Sequence, residues 1–237
     1  MPRKQKKTKP LICVFCEGES EVAYANFLRD KFQENVIIKS KMVTPTAIFA
    51  ETERLFQKDP KYRNKINSID EIWFFFDVED YNLQTVGNQN QNVSKWHERL
   101  VIINSLRGLR KNPALKVRLL MTSGGIEYWF LLHFEMTAPP CKTTADKANI
   151  ISDLQSKWVP EYKKGKTTSI KQIAERYSTA VQNSSKILNL LSTSKGLPKL
   201  TVDSTIRDED ERNQWLCTHC ETFSTVHEAI SFLRKKA

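Results

Sequence analysis

The chain has 237 residues, 40% of them hydrophobic, which is enough to bury a core and excludes a disordered or fibrous polypeptide. Lys and Arg total 37 against 27 Asp and Glu, a formal charge of +10 that favours polyanionic partners, nucleic acid first. No stretch approaches the roughly 18 apolar residues of a membrane span, and the first apolar run is too short for a signal sequence, so a cytoplasmic protein with no membrane partner is expected.

Arg3, Lys4, Lys6, Lys7 and Lys9 precede the first apolar residue, and residues 1–9 read as a basic flexible tail. Residues 10–16 read as a buried strand, followed by a helix from Ser20 with Val22, Tyr24, Ala25, Phe27, Leu28 and Phe32 at helical spacing. "NVIIKSKMV" is a second strand and "TAIFAETERLF", after Pro45, a second helix. A polar loop over residues 59–68 leads to "EIWFFFD", residues 71–77, the most hydrophobic strand of the chain. A loop rich in Asn and Gln, a helix over 94–110 and a fourth strand from Leu115 complete an alternating pattern, which predicts a parallel sheet with helices on both faces. From Ile126 the pattern turns helical: "IEYWFLLHF", then helices over about 145–158, 169–191 and 224–235, with an internal loop over 192–204 and no repeat. The expected fold class is α/β, a Rossmann-like parallel sheet flanked by helices over residues 10–135, followed by a mainly helical part over 136–237 packed on it.

Cys13 and Cys16 show C-x2-C spacing, as do Cys217 and Cys220. In a strand, positions three apart point to opposite faces, so the first pair reads as buried reduced thiols. "CTHC" is a weak zinc candidate with His219, lacking a second pair of ligands.

The two most apolar strands both end in acids. The first runs into Glu17, Glu19 and Glu21 around Gly18, and the third into Asp77, Glu79 and Asp80. Functional groups of an open parallel sheet gather at the carboxyl ends of its strands, so the two clusters face each other if those strands are neighbours. Crowded carboxylates repel, and a divalent cation relieves them; oxygen ligands without His or Cys point to Mg2+ or Mn2+. Gly18 is read as the sharp turn that returns Glu21 on the first helical turn. Acids in a first turn also favour the helix macrodipole without any metal, which accounts for Glu19 and Glu21, and Asp80 suits a turn or cap. Within "IEYWFLLHF" the apolar residues read as a buried face, His133 as a core histidine, Ser123 as a helix cap, and Glu127 as either a cap or a metal support.

"VFCEGESEVAYANFL" followed by "FFFDVED" resembles the Toprim pattern, a glutamate after the first strand and an acidic D-x-D after the third. With "TSGGIEYWFLLHF" at 122–134, a Tyr-Lys-Lys segment at 162–164 and "FSTVHEAISFL" near the end, the order is similar to that of the RloB family of prokaryotic antiphage-defence proteins, from about Leu11 to Leu233. The resemblance implies a Toprim-like catalytic core, with Glu17 at the Toprim glutamate, Glu21 at the second acid, Asp77 and Glu79 at the D-x-D pair, Asp80 as a substitute, and Glu127 at the acid of the third segment. Glu79 departs from the expected Asp, and Gly124 and Gly125 replace bulkier residues. Catalytic roles are expected for Glu17, Glu21, Asp77, Glu79, Lys163 and Lys164, with metal contacts from Glu17, Glu21, Asp77, Glu79, Asp80 and Glu127. Lys163, Lys164, Lys166 and Lys171 are candidates for contacting nucleic acid, or alternatively form a solvated basic loop. The resemblance also implies an ATPase partner encoded nearby; the chain itself has no phosphate-binding loop of the G-x4-G-K-[ST] type. Three readings follow: a metal-dependent nuclease effector cutting DNA or RNA, tRNA included; a catalytically degraded nucleic-acid- or partner-binding subunit; and an enzyme of small phosphoesters or nucleotides.

Overall fold

The computed structural model describes residues 9–43, 47–78 and 89–236, without the side chains of 89–92. Four strands, β1 (Leu11–Cys16), β2 (Ile37–Met42), β3 (Glu71–Val78) and β4 (Lys116–Ser123), form one parallel sheet in the order β2-β1-β3-β4. Each strand lies within a residue or two of its expected place; β1 and β3 are continuous apolar runs because both of their faces are covered, whereas β2, at the sheet edge, alternates and is half-exposed. In β3, Trp73, Phe74, Phe75 and Phe76 are all buried although they alternate between faces. β1 and β3 are neighbours, pairing Ile12 with Glu71 through Cys16 with Phe75, so their carboxyl ends lie side by side.

One face is covered by α1 (Glu19–Phe32), whose Tyr24 meets Phe75 edge-on at 6.3 Å. The other is covered by α2 (Ile48–Lys58), which sets Phe56 at 6.0 Å from Phe15 and Phe49 at 4.6 Å from Phe74. The polar stretch read as a loop contains the short α3 (Pro60–Arg63), started by Asp59 accepting from Lys61 N–H at 2.8 Å. α4 (Gln89–Gly108) begins earlier than its polar opening suggests.

Beyond β4 come α5 (Ile126–Leu131), α6 (Thr144–Asp153) with a π turn to Trp158, α7 (Thr167–Ala174), α8 (Tyr177–Ser194), α9 (Ile206–Thr218) and α10 (Val226–Lys236). The single helix expected over 169–191 is two helices. The chain breaks at Arg176, whose backbone (φ −88°, ψ 16°) leaves the helix and whose guanidinium covers the Phe134 ring at 5.1 Å. No Gly or Pro marks that break, so only the packing of α7 on α1 and of α8 on α10 dictates it. α9 escapes sequence reading because "RDEDER" has little apolar rhythm; a Thr205–Asp208 capping box starts it and a two-pronged ion pair, Arg107 to Asp210 at 2.8 Å, ties it to α4.

The outer edge of β4 is closed by residues 223–225: Ser123 N–H donates to Phe223 carbonyl at 3.0 Å and Thr225 N–H to Met121 carbonyl at 2.8 Å. That pairing removes an open sheet edge and docks the C-terminal helices on the sheet. All five cysteines are free thiols, and burial pushes Cys13 and Cys141 up to about 11 and about 12. No helix among the described residues is long and apolar enough to cross a membrane.

Candidate functional site

The acids at the strand ends come together. Glu17 leaves β1 and its Oε2 accepts the Asp77 N–H at 3.1 Å, so a side chain of one strand end clamps the backbone of its neighbour. Gly18 has extended backbone (φ −142°, ψ 175°), so no left-handed turn is made here; the glycine serves instead to leave room, since a Cβ would stand 2.8 Å from Glu21 Oε2. Glu21, in the first turn of α1, is buried and folds back over Gly18. Glu127, in the first turn of α5, is buried as well. A Cβ at Gly125 would stand 3.0 Å from Glu127 Oε2 and 3.8 Å from Asp77 Oδ2, so both carboxylates face the space that this glycine leaves open. The departure from bulkier residues at Gly125 is thereby explained by the carboxylates it admits.

These four acids line a cleft of about 680 Å3. Its other wall is Ile48 and Phe49 of α2 with Lys95, Glu98 and Arg99 of α4; Ile126, Lys164 and Gly165 close the rim. Tyr162 O–H donates to Glu127 Oε1 at 2.8 Å, and Lys164 Nζ lies 3.5 Å from the same oxygen. Gly165 N–H donates to Ser20 Oγ at 3.0 Å, which fixes the 162–165 segment against the start of α1.

Crowding leaves its mark on the acids. Burial pushes the Asp77 carboxyl well above its ordinary 3.8, and Glu21, Glu17 and Glu127 add to the rise, opposed by Lys147. Glu21 is raised by burial; hydrogen bonds from its own and Gly18 backbone N–H groups pull it down, Glu127 pushes it up and Lys164 pulls it down. An all-oxygen, anionic donor set suits a hard divalent cation. Among the described residues, however, no three His, Cys, Asp or Glu side chains are arranged to hold a metal ion. Glu17 and Glu127 each give one oxygen to a protein donor, Asp77 N–H and Tyr162 O–H.

The other expected site residues fall elsewhere. Glu79 and Asp80 lie outside the described residues, as do Arg3, Lys4, Lys6 and Lys7 of the tail. Lys163 and Lys166 are exposed on the loop beside Lys164 and do not line the cleft, while Lys171 lies on α7, 3.9 Å from Asp30. Glu19 is exposed, with its side chain over Gly165 at the rim. Lys95 and Arg99 were missed: their i, i+4 spacing on α4 puts them on one face, but nothing in the sequence says which face meets the cleft.

His133 is a core histidine. Its Nδ1 lies 2.8 Å from the Trp129 carbonyl, which can only accept, so Nδ1 carries the proton and Nε2 accepts from Tyr24 O–H at 3.2 Å. Burial lowers it to about 3 from 6.5. A folded-state value below the unfolded one means that the unfolded chain takes up the proton first as pH falls. The stability contributed by neutral His133 is therefore complete above pH 6.5 and lost progressively toward pH 3. His133→Gln cannot titrate, so its deficit against wild type in urea unfolding is expected to shrink between pH 7 and pH 4, within that window; a constant deficit would contradict this assignment.

No curated protein matches the chain closely enough to count as a relative. A family model described as RloB-like protein matches residues 12–233, from within β1 to the last buried turn of α10. That span covers both strand ends with their acids, the Glu127 helix and the Tyr162–Lys164 segment, and the chain accordingly belongs to the RloB-like family.

Proposed function

We propose that the chain is a divalent-metal-dependent nuclease of the Toprim type, hydrolysing phosphodiesters of DNA or RNA as the effector of an antiphage defence system with a separate ATPase partner. The observation that carries this reading is the convergence of Glu17, Glu21, Asp77 and Glu127 on one cleft at the carboxyl ends of β1 and β3. Mg2+ or Mn2+, when bound, supplies Lewis-acid polarisation of the scissile phosphate and a water that ionises near neutral pH. Glu17 and Asp77, with Glu21 and Glu127, would hold the ion; Glu79 and Asp80 are further candidates by position. Tyr162 holds Glu127 in place, and Lys164, reaching the rim, offsets charge that grows on the phosphate oxygens. Ile48, Phe49 and Ile126 make part of the wall apolar, which excludes water and strengthens every charge interaction inside. Lys163, Lys166 and Lys171 would contact the polymer outside the cleft.

A second reading, a nucleic-acid- or partner-binding subunit whose acidic site no longer catalyses, draws support from the lack of three described acids arranged around one point. Incubation with plasmid, single-stranded DNA, total tRNA and free nucleotides, in Mn2+ or in EDTA, separates the readings. Polymer cleavage in Mn2+ that EDTA abolishes is the expected result. Binding without cleavage by the chain, alone and with the ATPase encoded beside it, would favour the second reading, and hydrolysis of nucleotides alone would replace the polymer substrate with a small one.

A further inference from the structure

At the far end of α2 from the acidic cleft lies a second concavity of about 100 Å3, lined by Leu11, Cys13, Phe15 and Ile69 below and by Lys39, Lys41, Lys61 and Lys65 around Tyr62 above. Its construction follows from the sheet. Cys13 and Phe15 of β1 pair with Lys39 and Lys41 of β2, so these side chains share the face that α2 covers over β1 and β3. β2 is the sheet edge, and α3 with the turn after it, rather than a full helix, borders its side of that face. Lys41 and Lys61 lie over the Tyr62 ring, their Nζ atoms 5.3 and 5.9 Å from its centre, and the ring is held in turn by Phe15 and Phe56. The aromatic ring thus fixes two cations that would otherwise sweep through solvent. No carboxylate among the described residues forms an ion pair with any of the four lysines.

With Lys39 and Lys65 beside the two lysines held over the ring, four like charges border one small concavity, and an anion spanning them complements that charge. Lys39 and Lys41 are alternate residues of an extended strand, about 6.6 Å apart along it, a step comparable to that between successive phosphates of a nucleic-acid strand. The pocket is too small for a bulky polar ligand, and Lys39, Lys61 and Lys65 are exposed, which suits a backbone passing over it rather than a molecule entering it. α2 opens against the cleft at Ile48 and Phe49 and ends beside α3; its 11 residues cover about 16 Å, so cleft and lysine rim lie on one side of the sheet.

We infer that Lys39, Lys41, Lys61 and Lys65 around Tyr62 form a docking surface for the phosphate backbone of a single-stranded nucleic acid, separate from the acidic cleft. The surface holds the polymer by charge and carries no base readout, so affinity depends on salt and hardly on sequence. Within the proposed nuclease reading it keeps a strand on the enzyme while the cleft works; it does not depend on that reading, because binding is measurable without cleavage.

The test is fluorescence anisotropy with labelled oligo(dT) in EDTA, over a range of KCl concentrations, for wild type and the variant Lys39→Gln/Lys41→Gln/Lys61→Gln/Lys65→Gln. The slope of log affinity against log salt should fall by about 3, at roughly 0.7 per phosphate neutralised on a single strand. Lys61→Gln/Lys65→Gln alone, both on the exposed segment after α2, should give about half that change and guards against misfolding of the fourfold variant. An unchanged slope in both variants overturns the inference, and a nuclease still active at the cleft would then leave the proposed function standing. Binding to vesicles of phosphatidylserine that needs these lysines, with oligo(dT) affinity unaffected by them, also overturns it and assigns the surface to a lipid headgroup.

Discussion

Asp77→Asn is expected to melt higher than wild type in EDTA and to lack both the proposed nuclease activity and the stabilising response to Mn2+ expected of wild type. Asp77 sits among Glu17, Glu21 and Glu127, and burial and repulsion together raise its carboxyl well above 3.8. A folded-state value above the unfolded one means that the favourable contribution is present while the group is protonated and is lost as pH rises through the folded value. At neutral pH the unfolded chain is ionised at this position, so burying Asp77 costs stability whether the folded chain keeps its proton or loses it, and an amide of the same shape removes the cost. The gain should disappear on acidification below about pH 4, where Asp77 is protonated in both states. For a chain of this size each kcal/mol of repulsion relieved corresponds to roughly 2–4 °C in Tm. A ligand bound only by the folded state stabilises by mass action, so Mn2+ should raise the Tm of wild type and not of the variant. The loss in kcat/KM should amount to several kcal/mol of transition-state stabilisation, on the order of a thousandfold. Glu17→Gln should behave alike, whereas Glu19→Gln, exposed at the same rim, should stay near wild type. A wild-type metal response in Asp77→Asn would move the ion to other residues, and full activity in Glu17→Gln would remove the Toprim reading altogether.

The largest loss of stability is expected from Tyr24→Ala. Tyr24 is fully buried and its ring lies 5.8 Å from Phe130, 5.9 Å from Phe27, 6.0 Å from Trp129 and 6.3 Å from Phe75, with its hydroxyl on His133 Nε2. One side chain thus joins α1, β3 and α5. Truncation to Ala should cost about 3–5 kcal/mol by lost burial and an unfilled cavity, a fall in Tm on the order of 10 °C. Tyr24→Phe keeps the ring and strands His133 Nε2 without its donor, which costs about 1–3 kcal/mol. α1 carries Glu21 and α5 carries Glu127, so loosening the joint spreads the acids: Tyr24→Ala should lose activity at temperatures where it is still folded, and Tyr24→Phe should keep most of it. Urea unfolding followed by tryptophan fluorescence measures the first pair of values. Equal stability of both variants would show that the ring contributes little beyond its hydroxyl.

The sequence by itself determined the sheet, because continuous apolar runs such as "WFFF" have only one place to go, a strand covered on both faces. It also placed acids at the ends of β1 and β3, since a buried strand must surface where its run of apolar residues stops. The gathering of Glu17, Glu21 and Asp77 required one further fact, the adjacency of β1 and β3, which periodicity does not carry and the strand register supplies. Tertiary packing alone decided the rest. Gly18 read as a turn residue, yet its backbone is extended, and what the missing side chain provides is room for Glu21, a contact with a residue three positions on that no local rule reports. The break at Arg176 has no Gly or Pro behind it, and α9 has almost no apolar rhythm; both depend on partners, Phe134 and Arg107, that lie 42 and 103 residues away along the chain. Lys95 and Arg99 reach the cleft, and four lysines ring Tyr62, for the same reason: helix and strand periods tell which residues share a face, and only the fold tells what that face meets.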